Sequence, residues 1–303
     1  KALEDTTLCD GERLCLERRM ARLWKAPFTW KALPDKFCTL AGKIRPGTKK
    51  LLYGVPINKK VAQKSLFTGY NGRMVNVEQL CLQYYKFAEH FAGIHCEGGP
   101  FSALYVLLFW DIIFTADVPY VFQTPYQEAP LDFSTEAFYI SRKDLIDPRL
   151  KVIENSGKDD DSWMINKIEQ SWQSYQGVVC RGINWEGQSL PVLRTIARCL
   201  GGRVIAGVCD KLCKDFHHST SGMPDLVLWN IERKEAKFSE VKGPRDTLSD
   251  KQRIWIDKLI SSGATVEVCH VTETKSSKCD DTALHLTGVD CEEIFDFELE
   301  KPD

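Results

Sequence analysis

The chain has 303 residues, 43% of them hydrophobic and 27% charged. That length suits one large domain or two ordinary ones, and the composition excludes a disordered tail or a collagen-like fibre. The net charge of -2 hides a gradient: residues 1–80 hold 16 Lys+Arg against 7 Asp+Glu, whereas residues 271–303 hold 3 against 10. Between Lys36 and Val77 there are nine basic residues and no acidic one. A local field of that sign suits a polyanion, with a solvated basic loop as the alternative. Lys49, Lys50, Lys59 and Lys60 form its two lysine pairs.

Twelve cysteines include no Cys-x-x-Cys pair, and the chain is much longer than the small secreted scaffolds that need disulfides. They are expected to be reduced core thiols of an intracellular protein. The start, KALEDTTLCDGERL, is polar and unlike a signal peptide. It lacks Met, which suggests a part of something longer. The greasiest run, Phe101 to Phe114, is too short to span a bilayer and carries Asp111, so a buried helix is expected and no membrane contact.

In chain order, residues 12–32 predict a helix and residues 36–74 several short strands or loops. Asn76-Val-Glu-Gln opens a helix to about Phe91. GIHCEGGP reads as a Gly-rich turn, residues 101–115 as the buried helix, and 116–135 as turns punctuated by Pro119, Pro125 and Pro130. NSGKDDDS, 155–162, is a loop. Helices are expected over 163–175, from Ser189 to the Gly201-Gly202 stop, and from Val204 to Phe216. DLVLW (225–229) and KFSEVK (237–242) predict two strands joined by a charged turn. Ser249 and Gln252 form a capping box for a helix over 249–262, which Gly263 closes. TVEVCHV (265–271) predicts a last strand. The order strand, turn, strand, helix, strand implies a mixed sheet flanked by helices.

The chemistry concentrates at 225–242. Alternation along KFSEVK places Phe238, Glu240 and Lys242 on one face. If the two strands pair, Asp225 lies near Glu240. Two carboxylates beside an ammonium group can hold a divalent metal through hard oxygens, which would activate water against a phosphoryl group while the ammonium orients that water or stabilises developing charge. A surface hairpin with an incidental salt bridge is the alternative. Elsewhere, Cys209, Cys213 and His217 fall at i, i+4 and i+8, a spacing that could offer zinc three ligands, although packed thiols are the simpler expectation. His95 is expected to be structural, and Trp163, Trp172 and Trp185 to pack in the core rather than stack on bases.

SGMPDLVLWN followed by FSEVKGPRDTLSDKQRIWI resembles the PD-(D/E)xK nuclease superfamily, and within its VRR-NUC branch the Fanconi-associated nucleases of interstrand cross-link repair. GIHCEGGPFSALYVLLFWDIIF, YQEAPLDF and ARCLGGRVIAGVCDKLCKDF extend the likeness over roughly residues 76–271. The resemblance implies an α/β, restriction-endonuclease-like mixed sheet flanked by helices. It implies a nuclease cutting 5′ flaps and degrading DNA in the 5′-to-3′ direction, with Mg2+ at its site and Mn2+ able to substitute. Asp225, Glu240, Glu97 and the Val241 carbonyl would hold the metal, Lys242 the attacking water, and Gln127 would belong to the active site. Lys251 and Gln252 would face the scissile phosphate. The resemblance further implies branched or flapped DNA as partner, a nuclear location, and contacts with the monoubiquitinated Fanconi anaemia D2 protein and mismatch-repair proteins through regions not seen in this sequence. Residues 1–35 would be the end of a TPR-like helical region, ahead of a nuclease domain over 36–303 with a basic N-terminal part. One departure is Phe216-His217-His218-Ser219-Thr220, where relatives often carry Arg; neutral His weakens DNA contact there. The alternatives are a catalytically silent DNA-binding or scaffold module with the same fold, and a dimeric Holliday-junction-type resolvase.

Overall fold

The computed structural model describes residue 3 and residues 8–24, 40–57, 65–159, 162–244 and 246–273. The C-terminal third has the expected order. Strands β5 (Leu226–Asn230) and β6 (Glu235–Lys242) pair antiparallel across the charged turn, and β6 then pairs parallel with the final strand, Thr265–Glu273. Between β6 and that strand runs a helix over Asp250–Ser261. Apart from a small antiparallel ribbon of β2 (Phe67–Thr68) and β3 (Met74–Val75), two further strands complete a five-stranded mixed sheet. Thr48–Gly54 (β1) lies parallel to the final strand, β7, and Ala92–His95 (β4) lies antiparallel to β5, giving the order β1-β7-β6-β5-β4.

Strand β4 replaces part of the Gly-rich turn expected at GIHCEGGP. Gly93 reads as a breaker in isolation, but here it allows close approach: a Cβ on it would meet Leu228 Cδ2 at 2.5 Å and the Val227 carbonyl oxygen at 2.8 Å. The turn begins only afterwards, with Glu97 at φ 41° and Gly98 at φ 89°.

Each face of the sheet carries its own core. Helix α2 (Val77–Glu89) covers one face, where Leu80, Cys81 and Tyr85 meet Leu52, Leu226, Leu228, Val241 and Cys269. Lys237 is buried on this face, yet its Nζ has two carboxylate partners, Glu89 at 2.5 Å and Glu267 at 2.9 Å. Tyr85 donates its hydroxyl hydrogen to Glu267 at 2.7 Å. A buried charge is tolerable only when paired in this way.

The opposite face packs against the greasy helix α3 (Gly99–Ile113), with Phe101 on Phe238 at 5.3 Å between ring centroids. Around α3 stand α4 (Glu136–Glu154), α5 (Trp163–Tyr175), α6 (Leu190–Leu200), α7 (Gly202–Lys214) and α9, the Asp250–Ser261 helix. A four-residue turn of helix, α8 (Phe216–Ser219), lies between α7 and β5. Helix α3 is buried within the protein, and no helix among the described residues is long and apolar enough to cross a membrane.

Helix α4 was not anticipated. Its inward side (Phe138, Arg142, Ile146, Ile153) includes an arginine, its outward side exposes Ile140 and Leu145, and Pro148 sits inside it. That mixture blurs the 3.6-residue pattern. Arg142 is admitted to the core by Asp132 at 2.7 Å and by the face of Phe138. Gly201-Gly202 does stop α6, with Gly201 at φ 81°, but Gly202 serves α4 as well: a Cβ there would meet the Ile153 carbonyl oxygen at 2.0 Å.

The first helix, α1, spans Asp10–Leu23, shorter than the expected 12–32; residues 25–39 lie outside the described residues. The described cysteines are all free thiols. Cys209 and Cys213 are buried in α7 while His217 lies beyond its end, so the zinc set suggested by their spacing does not form. Trp172 packs edge-on to Trp185 at 5.1 Å as a core residue. Trp163 lies partly exposed beneath Arg149.

Asp111, the one charge in α3, ties three helices together. Its carboxylate accepts from Arg149 of α4 at 3.0 and 2.6 Å and pairs with Lys167 of α5 at 3.2 Å. Partial burial pushes this carboxyl up, but the two cations outweigh it and hold the pKa at about 2 against an ordinary 3.8. A depressed acid contributes stability above its unfolded pKa and loses it as pH falls through the folded value. We therefore expect Asp111→Asn to cost about 0.5–1 kcal/mol near neutral pH, since the pair is half-exposed. Urea titrations of the two proteins should converge as pH is lowered from about 3.8 towards 2.

Candidate active site

Asp225 immediately precedes β5, and Glu240 and Lys242 stand two apart near the end of β6, so the hairpin brings all three to one end of the two interior strands. Asp225 is fixed through both backbone and side chain. Its carbonyl accepts from the Cys96 N–H at 2.9 Å, and its Oδ2 accepts from the Val241 N–H at 2.8 Å. The first bond joins β5 to the segment that carries Glu97.

Glu240 is completely buried. Its Oε1 accepts from Lys242 Nζ at 2.7 Å and from Gln252 Nε2 at 2.5 Å. Its Oε2 is also buried and has no hydrogen-bond partner. An orphaned carboxylate oxygen in the interior costs several kcal/mol unless a proton or a cation meets it. Burial, and then the charge of Asp225, raise the Glu240 carboxyl to about 7, although Lys242 pulls the other way. Burial also raises Asp225, offset by the Val241 N–H and Lys242.

Gln252 has two tasks. Its backbone N–H donates to Ser249 Oγ at 3.2 Å and its Oε1 accepts from the Ser249 N–H at 2.9 Å, completing the capping box of α9. Its remaining amide hydrogens reach Glu240. The helix start is thereby locked to the carboxylate pair. Lys251 donates to Ser221 Oγ at 3.2 Å. Gly222, at φ 89°, lets that loop pass against Lys251, where a Cβ would sit 2.8 Å from the lysine Cβ.

Glu97 follows Cys96 in the chain, but its side chain turns outward. It is 76% exposed and 3.5 Å from His95 Nε2. Among the described residues, Glu97, Asp225 and Glu240 do not bring three carboxylate oxygens within 4.8 Å of one another. Glu97 instead borders an open polar cavity of about 410 Å3 with Ser102, Asn184, Gln188 and Thr220. Gln127 makes no hydrogen bond to Asp225 or Glu240. Its Oε1 accepts from the N–H groups of Gln123 and Thr124, and its Nε2 donates to Val121 and Ala129 carbonyls. All of its hydrogen bonds stay in its own loop. Glu78, in the first turn of α2, is an acid the sequence reading passed over; its charge adds to the upward push on Asp225. Its only sequence signal was a place inside the Asn76–Gln79 capping box.

The basic stretch is divided. Lys49 points to solvent, whereas Lys50 is bonded to Glu89 and lies over the rings of Tyr84 and Tyr85. Lys50 is therefore spent inside the fold. Lys59 and Lys60 lie outside the described residues.

With this geometry in place, the chain can be set beside known proteins. The VRR-NUC domain family matches residues 159–273. Over that span the chain resembles a VRR-NUC domain. It is 43% identical over 268 residues to the Fanconi-associated nuclease 1 homolog of Oryza sativa subsp. japonica, covering 86% of this chain and 27% of that protein. It is 46% identical over 213 residues to the Dictyostelium discoideum homolog, covering 66% of this chain and 19% of that one. The chain thus spans about a quarter or less of those relatives' lengths. The crystal structure of paFAN1 bound to a 2nt 5′ flap DNA with gap superposes with a TM-score of 0.69 at 22% identity, covering 90% of this chain and 44% of that one. The chain shares its α/β architecture with that structure.

The raised Glu240 carboxyl has a measurable consequence. A buried acid whose folded pKa of about 7 exceeds its ordinary 4.5 contributes most stability below the unfolded value and loses it as pH rises through the folded one. Metal-free protein should lose on the order of 3 kcal/mol between those two pH values. Glu240→Gln, which cannot ionise, should flatten that slope. Urea unfolding in chelator at pH 5 and pH 7.5 checks it; an equally steep loss in the variant contradicts the assignment.

Proposed function

We propose that this chain is the nuclease core of a divalent-metal-dependent, structure-selective DNA nuclease that cuts 5′ flaps. The observation that carries the reading is the buried Glu240 carboxylate, with one oxygen unpartnered, beside Asp225 and Lys242 at one end of the sheet. That donor set fits a hard cation: the oxygens are anionic and one is unsatisfied. Asp225, Glu240 and the Val241 carbonyl would hold the ion, and Glu97 would join by turning its exposed side chain inward. The expected ion is Mg2+, with Mn2+ able to substitute, because all the donors are oxygens. A bound cation supplies Lewis acidity toward a phosphoryl oxygen and lowers the pKa of water.

The chain's own groups do the remaining work. Lys242 is held by Glu240 at the site edge, where its ammonium can orient the attacking water and offset charge on the phosphate in the transition state. Gln252 fixes the Glu240 rotamer. The N-terminus of α9, with Lys251, presents unpaired N–H groups and positive charge toward a phosphate. Named relatives are Fanconi-associated nucleases, and the superposed structures hold 5′ flap DNA with a gap. These likenesses support a flap substrate; on the family resemblance alone we further propose 5′-to-3′ degradation, a nuclear role in interstrand cross-link repair, and recruitment by the monoubiquitinated D2 protein and mismatch-repair proteins.

On a labelled 5′ flap, cleavage should need Mg2+ or Mn2+ and stop in chelator. Asp225→Ala, Glu240→Ala and Lys242→Ala should each lower the rate by about 100-fold or more, with the circular dichroism of the folded protein retained. Undiminished cutting by Asp225→Ala overturns the site. Lys49→Glu, Lys59→Glu and Lys60→Glu should weaken DNA binding and reduce its salt slope by about one unit per lost phosphate contact. Lys50→Glu should behave differently, lowering stability by about 2–3 kcal/mol, because it sets a third carboxylate beside Glu89 and Glu267 and leaves them only Lys237 as a partner. Unchanged salt slopes for Lys49→Glu, Lys59→Glu and Lys60→Glu would show the basic stretch to be only solvated.

A further inference from the structure

A second cluster of ligating side chains lies outside the carboxylate site. Cys9, Asp215 and His218 come from segments about two hundred residues apart, and one potential ligand atom from each lies within 4.8 Å of the other two. Cys9 caps the start of α1 and its N–H donates to Glu12 Oε2 at 3.1 Å. Asp215 caps α8, accepting from the His218 N–H at 3.1 Å, and its Oδ1 stands 2.9 Å from His218 Nδ1. That contact orients the imidazole. The cluster opens on a cavity of about 620 Å3, whose lining includes Cys15, Lys211, Lys251 and Trp255.

The chemistry selects the ligand class. A thiol, an imidazole and a carboxylate form a mixed S, N, O set, which suits zinc and other late transition metals and is poor for magnesium. Donor atoms around tetrahedral zinc stand roughly 3.3–3.8 Å apart, given bonds of about 2.0–2.3 Å. Rotamer adjustments of about an ångström would close the set. The open cavity leaves room for a water as fourth ligand, the arrangement of three-residue zinc sites.

We propose that Cys9, Asp215 and His218 form a zinc site that clasps α1 to the α8–α9 corner. Binding replaces the Cys9 S–H bond with an S–Zn bond and releases that proton to solvent, so the site goes from Zn2+ plus thiol to thiolate-bound zinc plus one H+. The clasp lies beside the start of the helix that carries Lys251 and Gln252. Contacts already made there by α1 support the same docking: Arg18 pairs with Asp250 in the first turn of α9. The zinc reading drawn from Cys209, Cys213 and His217 thus fails, while neighbouring residues and a distant cysteine supply a set that no sequence spacing reveals.

Cobalt(II) is the probe, because cobalt bound to thiolate gives a near-ultraviolet charge-transfer band. The purified full chain, reduced and freed of metal, is titrated with cobalt and then zinc. We expect one equivalent of cobalt to give the band at micromolar concentration, zinc to abolish it, excess magnesium to leave it, and zinc to raise the thermal midpoint by several degrees. Cys9→Ser and His218→Ala should each lose the band. Cys15→Ser, which removes the neighbouring cavity thiol, and the double variant Asp225→Ala, Glu240→Ala should keep it. Circular dichroism confirms that each variant is folded. No thiolate band in the parent, a band surviving Cys9→Ser, or full affinity in His218→Ala overturns the assignment. Because the readout is spectral and the carboxylate site is deleted in one control, the result is independent of nuclease activity.

Discussion

Burying Glu240 beside Asp225 is the constraint around which the site is organised. Two carboxylates at one end of the sheet repel, and one oxygen of Glu240 makes no hydrogen bond. The fold answers with Lys242, Gln252 and the Val241 N–H, which satisfy part of the charge and leave a gap that a proton or a divalent cation can fill. A well-packed apolar pair would be more stable there. The cost is consistent with a site kept ready for a cation.

Supporting this end requires both faces of the sheet. On one side, α9 is set by its capping box, and the same glutamine that caps it steadies Glu240. On the other, Lys237, Glu89, Glu267 and Tyr85 form a satisfied polar network that fastens α2 along β6 and β7. Fastening α2 at that end positions its first turn, where Glu78 lies within electrostatic reach of Asp225. The network and the site are on opposite faces of the same strand, as a period of two requires for Lys237 and Glu240. A change such as Lys50→Glu would therefore reach the site through packing rather than through contact with DNA.

Glu97 stands apart from Asp225 and Glu240. Its backbone is tied to Asp225 through the Cys96 N–H, yet its side chain is turned to water beside His95. The positive φ of Glu97 and the adjoining glycines make this a tight corner in which the backbone direction is fixed and the side chain is free.

Local pattern determined a good deal. Alternation in KFSEVK and the Ser249–Gln252 capping box gave the strand, the helix and the shared face of Glu240 and Lys242, because these depend on neighbours two to four residues apart. The pairing of β5 with β6 followed from a short turn. What local pattern could not give depended on distant chain. Gly93 reads as a turn until Leu228 lies against it; α4 reads as no element until Asp132 and Phe138 neutralise and cover Arg142. Lys50 reads as a free cation until Glu89 arrives. For Gly93 and Lys50 the deciding partner is dozens of residues or more away, for Arg142 it is the loop residue Asp132 ten residues back, and burial then sets whether a charge is available. Residue chemistry is written in the sequence; which groups remain unsatisfied is decided only when the tertiary fold removes water.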